Sequence, residues 1–377
     1  MSRSEASLSG FRSRIDEIDE EILRLLQERK EIAKQVLETK IQNRLPIFLP
    51  GREDQKVITF REKAEKYTLD PEWAEDFLRM IMSSSRASQS EASFPRATTG
   101  PQVFLIVGGR GGMGSLYSKF AQASGHIVRI LDRDNWDEAK ELARGVDVAI
   151  ITVPIHATKE VIKKLGPMLS EDAILADFTS IKGDILECML QYHNGPVAGL
   201  HPMHGPDLHN LSKQLMVVCN GRREEEYQWL TDQFALWGMR VKLVDPVRHD
   251  QAMNIVQGLR HFIALLHGSF LNQKDMKPEE ILDFSSPIYR AELMMTGRIF
   301  AQDAELYADI VFSDEERVTM LLEFLEHHER LAEMVRNRDK KAFIREFEHI
   351  SEFFGDFGPQ ALLESGYLIN RLADRFS

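Results

Sequence analysis

Cysteine is nearly absent. Cys188 and Cys219 are the two cysteines in 377 residues, too few for a disulfide framework and without the spacing of a C-x-x-C metal site. No metal site is expected, and a reducing cytoplasm is the natural compartment. Long apolar runs are lacking as well: no uninterrupted stretch approaches the ~18 residues of a membrane-spanning helix. The first residues carry Ser, Arg and Glu without an apolar core, so no secretory leader is expected. Positive charge is in deficit, 47 Lys and Arg against 59 Asp and Glu, net −12. That excludes generic binding to nucleic acid or an anionic membrane, though not a local basic pocket. No internal repeat is present. With 43% hydrophobic and 28% charged residues, the whole chain is neither disordered nor fibrous.

What is present divides near residue 90. Apolar residues Leu8, Phe11, Ile15, Ile18, Ile22, Leu25, Ile32 and Val36 recur at three and four, the helical period. Neither proline nor glycine interrupts Phe11 to Leu45, Ser9 offers a cap and Pro46 a stop. About 35 residues make a rod of ~50 Å, too long to bury one face inside a 90-residue unit. A partner chain is the simplest cover. Helices are also expected over Arg52–Tyr67 and from Pro71 to about Arg86, with Asp70 as cap and Pro71 in the first turn.

Residues 83–101 are rich in Ser, Thr, Pro and Gly and end as a linker. Beyond it, Val103–Val107, Ile127–Leu131, Val146–Val153 and Ala173–Asp177 are short apolar runs separated by helical patterns, the signature of a parallel sheet covered by helices. Strand-like runs stop at about 247, and helix is expected to the end, as in Glu315–Val335 and Lys340–Phe353. The expected layout is residues 1–90 all-helical, 91–101 linker, 102–246 a Rossmann-type α/β domain and 247–377 a helical domain.

The first of these runs leads into Gly108-Gly109-Arg110-Gly111-Gly112-Met113-Gly114, in which Gly109, Gly111 and Gly114 fit G-x-G-x-x-G. One glycine turns the chain, one admits a pyrophosphate, and one lets helix pack on strand. Asp132 ends the second run 18 residues after Gly114. An acid there accepts from a ribose 2′-hydroxyl and repels a 2′-phosphate, favouring NAD over NADP; Arg133 beside it pulls the other way. Farther on, Gly199-Leu200-His201-Pro202-Met203-His204-Gly205-Pro206-Asp207 follows a short apolar segment. It places His201 at a strand end near the cofactor, able to polarise or deprotonate a hydroxyl during hydride loss. His204 reads as structural. Ser180 and Lys182, in Asp177-Phe178-Thr179-Ser180-Ile181-Lys182, end another strand, where Ser180 could orient the histidine or cap a helix. Arg290 and Arg298 are eight residues apart, offset by about 80° on a continuous helix and suited to carboxylates.

Residues 102–377 resemble prephenate dehydrogenase in the glycine loop, DFTSIK, GLHPMHGPD, LRHF at 259–262, SSPIYR and GRIFAQDAELYADI at 297–310. Residues 8–90 resemble the small all-helical chorismate mutase. Together they look like the fused chorismate mutase–prephenate dehydrogenase of tyrosine biosynthesis. The resemblance implies a homodimer that rearranges chorismate to prephenate. It then oxidatively decarboxylates prephenate with NAD to 4-hydroxyphenylpyruvate, CO2 and NADH, under feedback inhibition by tyrosine. It also implies site residues. His201 would meet the ring hydroxyl of prephenate and Ser180 would orient it. Arg298 would bind substrate, with Arg290, His261, Tyr307 and Lys182 in support. Gly109, Arg110, Gly111, Gly112, Met113, Gly114, Asp132, Thr152, Pro154 and His193 would lie along the cofactor.

For the mutase, the resemblance selects Arg12, Arg29, Lys40, Arg52, Glu53, Ser85 and Gln89. A pericyclic rearrangement of a dianion needs cations to clamp two carboxylates and a donor at the ether oxygen. Arg29 and Lys40, 11 residues apart, share one helix face. Arg12 is ~25 Å from Arg29 along the rod, so if it is catalytic it reaches the site of a second chain. Gln89 donates at any pH, whereas a glutamate must first be protonated. This sequence departs from the family at Gly51, where glutamate is common, at Leu37, where a glycine is usual, and at His204, where phenylalanine is usual. Two rival readings remain: an arogenate-specific or NADP-preferring dehydrogenase, and a degenerate mutase domain serving regulation or dimerisation.

Overall fold

The computed structural model describes residues 3–43, 45, 50–89, 94–208 and 210–376, without side chains at 3–7, 50, 86–89 and 373–376. Pro46, expected to stop the first helix, lies outside the described residues. Two compact units are present, Met1–Val247 and Arg248–Ser377.

The first unit begins with helices α1 (Arg3–Gln42), α2 (Pro50–Lys66) and α3 (Pro71–Gln89). Helix α1 stops three residues before the expected Leu45. The Asn43 side chain donates to the Thr39 carbonyl at 2.8 Å, and the Leu45 amide wraps back to the Lys40 carbonyl at 2.9 Å, closing the last turn. Helices α2 and α3 share a small core of Val57, Leu78 and Met82 with Phe60 against it. Most of the apolar stripe on α1 is not covered by the described residues: Phe11 is 67% exposed, Ile15 56% and Ile32 53%.

A seven-stranded sheet follows: β1 (Val103–Val107), β2 (Ile127–Leu131), β3 (Val148–Ile151), β4 (Ile174–Asp177), β5 (Val197–Pro202), β6 (Leu215–Arg222) and β7 (Arg240–Leu243), in the order β2-β1-β3-β4-β5-β6-β7. The first five strands are parallel; β6 runs antiparallel to β5, and β7 parallel to β6. Helices α4 (Gly112–Ala123), α5 (Ala139–Leu142), α6 (Ile155–Leu165), α7 (Gly183–Tyr192) and α8 (Glu224–Leu236) cover it. Alternate strand residues face opposite ways. Phe104 and Ile106 therefore pack with Tyr117, Phe120, Phe234 and Trp237 on one face, while Leu105 and Val107 pack with Ile162, Leu165 and Met189 on the other.

Two findings join the helical N-terminal part to this sheet domain. Leu37 of α1 is 2% exposed and belongs to the same apolar cluster as Phe104, Leu211 and Trp237, with Ile41 packed against it. The leucine that stands where glycine is usual is thus a contact between domains. The segment read as a linker is held too: the Phe94 amide donates to the Ala123 carbonyl at 2.9 Å, and Gln233 donates to the Pro95 carbonyl at 3.0 Å.

The second unit is helical. After α9 (Pro246–Met253), which spans the boundary, and a π-helical turn over Asn254–Leu259 come α10 (Arg260–Gln273), α11 (Pro278–Leu282), α12 (Pro287–Phe300), α13 (Ala304–Val311), α14 (Glu315–Arg336), α15 (Lys340–Phe354) and α16 (Phe357–Phe376). No described helix is long and apolar enough to cross a membrane.

Candidate functional site

The glycine loop is built so that side chains cannot enter it. Gly108 sits at φ +78°, the left-handed region that favours glycine. A Cβ on Gly114 would fall 2.5 Å from the Gly108 carbonyl oxygen, and one on Gly112 would fall 2.8 Å from Pro206. Helix α4 starts at Gly112, so its free amides point from the loop as an anion site would require. Asp132 ties the loop to the end of β2: its carboxylate accepts from the Arg110 amide at 3.1 Å and the Arg133 amide at 3.0 Å. The Arg110 guanidinium pairs with Asp134. Gly108, Arg110, Gly111, Asp132, Thr152 and Pro154 line one cleft of about 830 Å³. Trp136 also lines it and was missed; an aromatic four residues past the strand-end acid was the available signal. Among the expected loop contacts, Gly109 packs on Ile130, and Met113 lies half-buried against the core.

Parallel strands bring the histidine motif to the same edge. Gly108 follows β1, Thr152 follows β3, Ser180 lies three residues beyond β4, and His201 is the penultimate residue of β5. With these strands parallel, all four mark the carboxyl edge of the sheet, where open α/β sheets bind ligands. His201 is 4% exposed. The Ser180 hydroxyl is buried with no hydrogen-bond partner among the described residues, leaving its capacity for a ligand or neighbouring group. His204 stacks on Tyr117 at 6.0 Å and 12°, and its Nε2 lies 3.1 Å from the Tyr117 hydroxyl. It keeps the packing a phenylalanine would make and adds a hydrogen bond. Burial pushes its pKa down, which favours the neutral ring.

Two residues expected at ligands make scaffold contacts. Lys182, expected on the substrate, is fully buried. Its ammonium pairs with Asp177 and donates to the Leu200 carbonyl at 2.8 Å, which fixes the residue before His201. A buried lysine needs such a partner, and Asp177, five residues back, supplies it. His193, expected along the cofactor, has its Nε2 2.7 Å from the carbonyl of Ala173. Ala173 precedes β4, so His193 lies at the amino edge of the sheet, a strand length of ~13 Å from the glycine loop's edge.

In the second unit, Arg290 and Arg298 lie on one continuous helix, α12. The His261 ring meets Tyr307 edge-on at 4.8 Å. Burial first, then Arg260 and Arg317, pushes the pKa of His261 down to about 4; its Nδ1 is buried without a hydrogen-bond partner among the described residues. The buried Arg317 guanidinium donates from Nε to Asn254 at 2.9 Å and from Nη1 to the Ile310 carbonyl. Gly258 in the π-helical turn leaves room for it, since a Cβ there would lie 2.7 Å from Arg317 Cδ. Such turns recur near functional sites.

The N-terminal helices bring together most of the predicted cations. Arg29 of α1 donates to the Ser85 hydroxyl of α3 at 2.8 Å. The pKa of Lys40 is lowered by burial and by Arg52, against the opposing pull of Glu53. Lys56, not singled out from the sequence, has its pKa lowered by burial and then by Arg29 and Arg52, again opposed by Glu53. Its position one turn after Arg52 was the missed signal. Arg12 is exposed far along α1, and the Gln89 side chain lies outside the described residues. Gly51 stands in the first turn of α2 with open space around its Cβ position.

Comparison with known proteins covers nearly the whole chain. Residues 11–90 match the family model for chorismate mutase type II. Residues 115–238 and 245–349 match those for the nucleotide-binding and dimerisation domains of prephenate dehydrogenase. The T-protein of Enterobacter agglomerans is 40% identical, with 98% of this chain and 99% of that one aligned. That of Haemophilus influenzae is 39% identical over 98% of each. A prephenate dehydrogenase from A. aeolicus, solved with hydroxyphenyl propionate and NAD+, shares the fold at 21% identity and a TM-score of 0.55, covering 67% of this chain and 97% of its own. The chain belongs to the T-protein family, which joins a chorismate mutase to a prephenate dehydrogenase in one polypeptide.

Proposed function

We propose that the carboxyl edge of the sheet is the dehydrogenase centre and that the cationic cluster of α1, α2 and α3 is the mutase centre. The observation that carries the first assignment is the shared edge: the glycine cradle, the buried Ser180 hydroxyl, unpartnered among the described residues, and His201 lie along it. The cradle fits a dinucleotide, because a Cβ at Gly112 or Gly114 would fill it and Asp132 stands where a ribose 2′-hydroxyl would be read. This favours NAD over NADP. When bound, NAD supplies the hydride acceptor. His201 accepts a hydrogen bond from the ring hydroxyl of prephenate and draws off its proton as the ring carboxylate leaves. Gain of aromaticity drives the step, so the protein's main task is orientation. Lys182 and Asp177 hold the backbone before His201. For Arg298 and Arg290 of the second unit the family likeness supports a role toward the carboxylates of prephenate, and for His261, in ring contact with Tyr307, a supporting one.

In the mutase, Arg29, Lys40 and Arg52 clamp the two carboxylates of chorismate, with Ser85 orienting Arg29 and Glu53 and Gln89 meeting the polar centre. Arg12 acts in the site of a second copy. The uncovered stripe of α1 and the match to a dimerisation domain support a homodimer. Tyrosine, an analogue of the product, would inhibit by entering the prephenate pocket, and the enzyme works in the cytoplasm. Prephenate rather than arogenate is the expected substrate. The test is His201→Asn: prephenate oxidation should fall by about 10²–10⁴-fold while chorismate consumption by the same preparation stays unchanged. Equal loss of both activities, or neither, would overturn the assignment.

A further inference from the structure

An ion pair crosses from the sheet domain to the N-terminal helices. Lys213, in the segment between β5 and β6, places its ammonium 3.0 Å from Oε2 of Glu53 at the start of α2. The Glu53 side chain is 18% exposed and that of Lys213 41%. The contact is built rather than incidental. Lys213 is held at φ +68°, a backbone region that a non-glycine residue occupies at a cost. Its amide donates to the Gly238 carbonyl at 2.8 Å, anchoring the segment to the sheet domain. Two residues earlier, Leu211 lies in the same buried cluster as Leu37 of α1, so an apolar contact sets the register of the pair.

We propose that Lys213 is a positioning residue of the mutase, supplied by the dehydrogenase domain, that orients the Glu53 carboxylate beside the cations that bind chorismate. This rests on the reading of the cationic cluster as the mutase centre. Glu53 acts electrostatically on both Lys40 and Lys56, and Arg52 acts on the same two lysines. A carboxylate without a fixed orientation would compete with the carboxylates of the substrate for these cations. The Lys213 ammonium gives it a partner from the sheet domain and fixes its orientation. Fusion of the two enzymes then does more than tether them, because the mutase site takes its final geometry from its neighbour.

The test uses the full-length chain and four variants: Lys213→Gly, Lys213→Arg, Glu53→Gln and the double variant Glu53→Gln with Lys213→Gly. Glycine is at ease at φ +68°, so Lys213→Gly removes the ammonium while relieving the backbone. We expect a chorismate KM about fivefold higher, from a partly exposed pair worth about 1 kcal/mol. The mutase kcat should change less than about twofold and prephenate oxidation not at all. Lys213→Arg should restore the KM, and Lys213→Gly should add nothing in the Glu53→Gln background, as coupled residues behave. An unchanged KM in Lys213→Gly beside an impaired Glu53→Gln overturns this inference and leaves the mutase assignment standing. A neutral Glu53→Gln overturns that assignment and this inference with it. Additive losses in the double variant, or parallel loss of both activities without rescue by arginine, mean that Lys213 serves only its own segment.

Discussion

Gly114→Ala is the sharpest perturbation of the cofactor cradle. Its new Cβ would lie 2.5 Å from the Gly108 carbonyl oxygen, 2.7 Å from Gly109 Cα and 2.7 Å from Thr152 Oγ1, against ordinary contacts of 3.4–4 Å. Two of the three are backbone, so no rotamer change relieves them. The loop must open by roughly 1 Å, and displacements of that size can cost about 10²-fold in rate. The same shift takes loop amides off the phosphates, at about 1.5–3 kcal/mol for each charge-assisted hydrogen bond lost. The KM for NAD should therefore rise by about 10²-fold, with a loss of stability of about 1–3 kcal/mol from overpacking. Initial-rate kinetics with NAD varied and prephenate saturating measure it. The mutase of the same molecule, followed by loss of chorismate, is the internal control and should be unaffected. An NAD KM within threefold of the parent would refute the claim that this loop cradles the dinucleotide.

Other outcomes follow from single residues. Leu37→Ala should cost about 2–5 kcal/mol, lowering the urea midpoint of both the helical and the sheet domain, since Leu37 belongs to the sheet's cluster; loss confined to the helical domain would contradict this. His261 is neutral when folded and has a pKa pushed down to about 4, below its unfolded value near 6.5. Its contribution is thus full above ~pH 6.5 and is lost as pH falls from there toward about 4, by an upper value of about 3 kcal/mol; urea melts across that range should flatten in His261→Gln. Gly51→Ala should raise stability by about 0.5–1 kcal/mol, because its Cβ meets open space; an unchanged thermal midpoint would contradict it. The mutase rate should not collapse above carboxylate pKa values, whereas Gln89→Glu should create that collapse, which a pH–rate profile of each would show.

The parallel strands, the glycine loop and the helical tail were legible because each has a local period or a turn residue that only one backbone allows. Strands β6 and β7 were not read: β7 exposes Arg240, Lys242 and Leu243 and carries little burial pattern, and β6 reverses direction in a way no local pattern announces. Site residues were harder. The spacing of Lys182 from Asp177 was visible, but whether a lysine enters a pocket or neutralises a buried acid depends on burial. His193 sits on the wrong edge of the sheet for the cofactor because residue type carries no strand direction. Lys56 and Lys213 acquire meaning only once α1, α2 and the segment before β6 come together.

The central claim is that one chain carries both chemistries in order. The purified full-length protein, given chorismate and NAD, should consume chorismate and produce NADH, with NADH appearing after a lag as prephenate accumulates. Chorismate loss without NADH, or NADH from prephenate but no consumption of chorismate, would contradict it.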